Sequence, residues 1–196
     1  MNLLSVYSAG VQSSTATAYK MKAAEFFSLP EGPPYFQLLD GDLYTSPRPR
    51  RYHQKLILRL AVVLQAYLDR HPLGEIYVAP SDVVFTQETI LNPDIYFVSR
   101  ERAGILTEQG ADGAPDLVVE VLSPSTAKLD LGRKREIYFE SGVKEMWVVS
   151  PQTASVDVYR FSENAGEPTA VFERGGTLTS PLFPELAISV GDLFKD

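Results

Sequence analysis

The sequence predicts a mixed α/β fold, a central mixed β-sheet flanked by at least two helices. Three observations predict it: one long amphipathic helical period, two apolar strands each entered by Pro-Asp, and a second helical stretch directly after the later strand. At 196 residues, 44% hydrophobic and 22% charged, the chain suits one ordinary globular core. The expectation is a poorly ordered extension over residues 1–20, rich in Ser, Thr and Ala without periodicity, and a single domain over 21–196.

The elements follow in order. MKAAEFFSLPEGPP holds a short helical turn and a Pro/Gly break. Tyr35 to Leu39 and Leu43 to Tyr44 then read as strands about Asp40-Gly41, a hairpin signal that places them at an edge of the main sheet. From His53 to about Arg70, Leu56, Ile57, Leu60, Val63, Leu64, Tyr67 and Leu68 recur at three- and four-residue steps, the period of an amphipathic helix. Pro72 and Gly74 end it, and EIYVAPSDVVFT reads as one strand bent at Pro80.

Ile95 to Val98 and Leu117 to Leu122 are the two Pro-Asp strands, separated by a polar, Gly-rich loop with room for a turn of helix. A helix over Ala127 to Ser141 puts Leu131, Ile137 and Tyr138 on one face and stops at Gly142. Met146 to Val149 and Val156 to Phe161 are two strands about a turn, followed by shorter β-type pieces near Ala170 to Phe172 and Leu186 to Val190.

Composition removes several function classes. Zero cysteines exclude disulfides, thiolate catalysis and zinc–thiolate sites, and His53 and His71 are the two imidazoles. A metal ion would be held by oxygen, which favours magnesium or manganese. No membrane span or secretory leader is legible, so a soluble, cytoplasmic protein is expected. The formal charge of -7 works against a nucleic-acid partner unless local clusters compensate.

Within Leu117-Val118-Val119-Glu120-Val121-Leu122 a carboxylate interrupts an otherwise apolar strand, and such a group requires a cation or ammonium partner. Asp116 lies on the same face, but four residues of strand separate the two by roughly 13 Å, too far to share one ion. A neighbouring strand runs only about 4.8 Å away. Asp94, at the preceding Pro-Asp entrance, is therefore the best partner for Glu120 on a hard divalent ion. Lys134, on the following helix, can offset their charge, orient water and steady a phosphate, and Tyr138, four residues on, shares its face.

Each of these has a plainer reading. Glu120 could form a structural ion pair, Asp94 could end a turn, Lys134 could be a solvated helix lysine and Tyr138 core packing. Asp116 reads first as a strand-entry residue and second as a support to the site. His53 is a further candidate supporting residue, although a lone histidine near a helix start is more often a cap. Arg48, Arg50, Arg51, Lys55 and Arg59 concentrate positive charge at the long helix's entrance, a candidate phosphate-contacting patch or a solvated helix start. Trp147 reads as core or dimer contact.

Pro93-Asp94, then PDLVVEVLSPST, Asp130, Lys134, Tyr138 and GVKEMWVVSP resemble the Uma2 family of restriction endonucleases, over roughly residues 21 to 190 and most specifically from Pro115 to Pro151. The resemblance implies a restriction-endonuclease-like core with an N-terminal β-hairpin and magnesium-dependent endonuclease activity on DNA. By it, Asp94 and Glu120 bind the ion, with Val121 beside them in the metal set. The superfamily motif places a lysine two residues after the acid, where Leu122 stands; Lys134 would replace it, as in members whose lysine has moved to the following helix. Gln37 stands where the family's hairpin commonly has glutamate. The implied partners are DNA and a second copy of the chain. The alternative function is a nuclease-fold binding or regulatory module with little catalysis.

Overall fold

The computed structural model describes residues 19–30, 32–46 and 48–195. The expectation of a disordered extension falls, through residue 18, outside them.

A short helix α1 (Ala23–Phe26) leads to the hairpin β1 (Phe36–Leu39) and β2 (Asp42–Thr45). Leu39 pairs with Asp42, and the two intervening residues, Asp40 (φ 52°) and Gly41 (φ 80°), both turn left-handed. That geometry matches the right-handed twist of the flanking strands, which is why Asp-Gly closes them. Helix α2 (Arg51–Leu68) buries Leu56, Ile57, Leu60, Leu64, Tyr67 and Leu68, each contributing about 1.5–3 kcal/mol by leaving water. None of the helices among the described residues is long and apolar enough to cross a membrane.

Next come β3 (Gly74–Val78), β4 (Asp82–Thr86), β5 (Thr89–Leu91) and β6 (Ile95–Ser99). The single bent strand expected through Pro80 is two strands in two different sheets. Pro80 has no N–H for a ladder, and the next N–H, of Ser81, goes to Oδ1 of Asn92 at 2.6 Å instead. A 3₁₀ turn (Arg100–Ile105) and the short strands β7 (Leu106–Thr107) and β8 (Gly110–Asp112) fill the expected loop before β9 (Leu117–Val121).

The helix expected over Ala127 to Ser141 is broken into α3 (Ala127–Leu129), one wider π-type turn (Asp130–Lys134) and α4 (Arg135–Glu140). The break lies at Gly132, whose φ of −102° and ψ of −110° leave the helical region. It leaves Leu131, expected on the apolar face, 37% exposed, whereas Asp130 and Lys134 are buried. The chain finishes with β10 (Glu145–Ser150), β11 (Ser155–Arg160), β12 (Ala170–Phe172), β13 (Thr177–Leu178), β14 (Ile188–Ser189) and α5 (Val190–Leu193).

Among the described residues, the strands form two six-stranded sheets and a two-stranded one, β13 with β14. The central sheet runs β12-β11-β10-β9-β6-β3, antiparallel except for β9 with β10. That parallel pair needs a crossover, which the α3–α4 segment supplies. The second sheet runs β2-β1-β5-β4-β8-β7. The entry hairpin sits at its edge, which corrects the expectation that it borders the main sheet.

Both faces of the central sheet are covered. Leu117, Val119, Val121, Trp147 and Val149 pack with α2 and the C-terminal Phe183, Leu193 and Phe194. Val118, Met146 and Val148 pack with Ile137 and Tyr138 of α4 and with Val83 and Leu91 of the second sheet. Because strand side chains alternate, Glu120 shares the face of Val118 and points toward the broken helix. Trp147 is core, 1% exposed, with its Nε1–H donating to Glu145 at 2.9 Å.

Candidate active site

The site forms at the C-terminal end of β9. Ile95 of β6 pairs with Val119, so two residues further along β9 has no β6 neighbour. There Oδ2 of Asp94 takes the place of the ladder, accepting the Val121 N–H at 2.7 Å. A strand residue's C=O points to the same side as its N–H, so the Val121 carbonyl faces the side from which Asp94 reaches. His53, in the first turns of α2, brings Nε2 to 3.2 Å from the same Oδ2. Burial works to lower the His53 pKa, but the hydrogen bond and charge of Asp94, helped by the Val121 backbone, raise it above the ordinary histidine value.

Glu120 is 3% exposed. Its Oε1 accepts from Lys134 Nζ at 3.0 Å and from the Tyr138 hydroxyl at 2.5 Å. Lys134 Nζ also lies 3.2 Å from Oδ1 of Asp130, one helical turn back. Burial pushes the Glu120 carboxyl well above the usual carboxylate range; Lys134 pulls it back, while Asp130 and Asp94 push it further up. Burial works to lower the Lys134 pKa, but Glu120 and Asp130 hold its ammonium above the usual lysine range. Tyr138 is raised well above an ordinary phenol by burial and then by Glu120. It acts as a hydrogen-bond donor rather than as a base.

Three carboxylates thus crowd around one lysine and one histidine. Asp94, Glu120, Asp130, Lys134 and His53 line one cavity of about 800 Å³. Among the described residues, Oδ1 of Asp94 and Oε2 of Glu120 accept no protein hydrogen bond, and Oδ1 of Asp130 is buried without one. No three His, Cys, Asp or Glu side chains among the described residues form a metal cage by themselves. Two carboxylates and the Val121 carbonyl are hard oxygens of the kind that could hold a small divalent ion.

The structure brings Asp94, Glu120, Val121, Lys134, Tyr138 and His53 together. It does not bring Asp116 to them. Asp116 lies at the other end of β9, where it accepts the Ser99 N–H at 2.7 Å and pairs with Lys144 at 2.7 Å and Arg102 at 3.5 Å. Its expected supporting role is replaced by a structural one, tying β6 and β10 to β9. Of the basic patch, Arg48 and Arg50 line the cavity, whereas Arg51, Lys55 and Arg59 do not. Arg59 donates to the carbonyls of Leu193 (2.9 Å) and Lys195, so it caps the C-terminal helix.

Asp130 is the member that sequence reading passed over as a site residue. Its four-residue step to Lys134 was the available signal. Gln37, on the hairpin, also lines the cavity; its Oε1 accepts the Asn92 N–H at 3.2 Å and its Nε2 donates to Ser46 at 3.1 Å.

Comparison with known proteins adds to this geometry. The profile of Uma2, described as "Putative restriction endonuclease", matches residues 23–191. Among solved structures the chain is similar to a "putative nuclease belonging to DUF820 from Anabaena variabilis ATCC 29413", at 23% identity and a TM-score of 0.75, over 89% of this chain and 97% of that one. The likeness to that structure is one of fold. The sequence matches no functionally curated protein.

Proposed function

Because the chain belongs to the Uma2 family, we propose that it is an endonuclease that hydrolyses DNA phosphodiester bonds with magnesium or manganese. Asp94, Glu120 and the Val121 carbonyl would hold the ion, which supplies Lewis-acid activation of water and charge neutralisation at the phosphate. The chain's own residues do the rest. Asp94 is fixed by the Val121 N–H and His53, so its other oxygen is presented to the cavity. Tyr138 and Lys134 hold one oxygen of Glu120 and leave Oε2 for the ion. Once that ion shares the charge of Glu120, the Lys134 ammonium is available to orient a water or to steady negative charge growing on the phosphate. Arg48 and Arg50 reach the same cavity and would meet phosphates of the DNA backbone.

The observation that carries this reading is the meeting of Asp94, at the entrance to β6, and Glu120 of β9 in one cavity with Lys134 alongside. A second reading, a binding or regulatory module with little catalysis, draws on the two carboxylates already within 3.2 Å of Lys134 Nζ. Incubation with supercoiled plasmid separates them. Nicking that requires magnesium or manganese and disappears in Asp94→Ala supports hydrolysis. Plasmid binding without nicking, equal in both proteins, supports the module.

A further inference from the structure

The outward face of α2 is complementary to itself. Arg51, Lys55, Leu58, Val62, Gln65 and Asp69 recur at alternating steps of four and three, the seam period of paired helices. At about 100° per residue they stand opposite the buried row of Leu56, Leu60, Leu64 and Tyr67. A solvated helix face should be polar, yet Leu58 and Val62 at its middle are 64% and 58% exposed. An apolar centre rimmed by charge marks an interaction surface.

The order of residues identifies what fits. Counted from the level of residue 60, position 51 mirrors 69, 55 mirrors 65 and 58 mirrors 62. A second α2 laid antiparallel across a two-fold axis at that level sets Leu58 on the partner's Val62 twice. It also sets Arg51 against the partner's Asp69 at both ends. A parallel pairing would instead oppose like charges at each end. Two-fold contacts require this kind of self-matching patch, and the two helix dipoles oppose one another favourably when antiparallel. His53 lies on the opposite, inward side of the helix, so each copy keeps its cavity.

We propose that a second copy of this chain docks on the outward face of α2 as an antiparallel two-fold pair, with Leu58 and Val62 at the axis and Arg51 and Asp69 at the ends. One helix pair is smaller than a standard interface of about 1,600 Å², so the association is weak and concentration-dependent. The pairing is independent of the hydrolytic reading, because plasmid nicking and subunit mass are measured separately.

Sedimentation across a micromolar concentration series tests it. The native chain shifts from one-chain to two-chain mass as concentration rises. Leu58→Glu and Arg51→Glu, both at solvated positions, hold it at one-chain mass with unchanged circular dichroism, and the swap Arg51→Glu/Asp69→Arg restores the two-chain species. The chain has no cysteine, so introduced thiols report directly. Arg51→Cys chains oxidised with Asp69→Cys chains cross-link, and Arg51→Cys chains alone do not. One-chain mass at every concentration overturns the proposal. So does a two-chain species indifferent to Leu58→Glu, or cross-linking of Arg51→Cys with itself.

Discussion

Lys134 and Glu120 come from different elements yet meet at 3.0 Å, each side chain only 4% exposed. The broken helix delivers the ammonium to the middle of an apolar strand, and the strand supplies the one acid there.

Removing one member of this pair strands the other. Lys134→Ala leaves Glu120 and Asp130 buried without their cation, a loss of about 3–5 kcal/mol for a broken buried pair, held to the lower end because Glu120 can take up a proton. Glu120→Gln/Lys134→Met, neutral and similar in volume, recovers most of it. Urea denaturation midpoints check this. Equal stability of Lys134→Ala and the native chain would show that the pair carries no structural role.

The raised Glu120 pKa has a definite sign. The folded chain keeps that proton to higher pH than the unfolded chain, so the group's stabilising contribution is present below its unfolded pKa and is lost as pH rises through the folded one. A divalent ion needs the carboxylate, so affinity for manganese should keep climbing above about pH 5, where an ordinary glutamate is already ionised. Glu120→Gln removes the site rather than moving the profile. Manganese titrations over a pH series check it; a flat affinity above about pH 5 contradicts the burial argument.

In the proposed site, His53 supports Asp94. Its Nε2 lies 3.2 Å from the oxygen that also takes the Val121 N–H, leaving the other oxygen toward the cavity. Loss of such a supporting contact costs roughly 10–100-fold in metal affinity. His53→Ala should weaken manganese binding by that amount, and His53→Gln, which retains a donor, should recover part. Unchanged affinity in His53→Ala assigns the contact to helix packing alone.

Much of this arrangement was legible because it is local or periodic. The repeat of Leu56, Leu60 and Leu64 specifies α2 to within two residues of its observed ends. The apolar run of Leu117 to Val121 makes Glu120 conspicuous, since a lone acid between buried β-branched residues has few stable explanations. Asp94 followed from the Pro-Asp entrance of the neighbouring strand. What escaped depends on distant partners. Nothing in the local sequence around Pro80 distinguishes a bent strand from two separate ones, whereas in the fold the run divides between two sheets and Ser81 N–H goes to the distant Asn92. The non-helical backbone at Gly132, which breaks the expected single helix, has no counterpart in the apolar periodicity of that stretch. Arg59 looks like its basic neighbours until the C-terminal carbonyls arrive more than a hundred residues later in the chain.

Calorimetric titration of manganese into the native chain, Asp94→Asn and Glu120→Gln tests the shared-ion site most directly. One saturable site is expected in the native chain, lost in both variants while circular dichroism shows that both remain folded. A native chain that takes up no manganese, or variants that bind it as tightly, would contradict the claim that these two acids hold one ion.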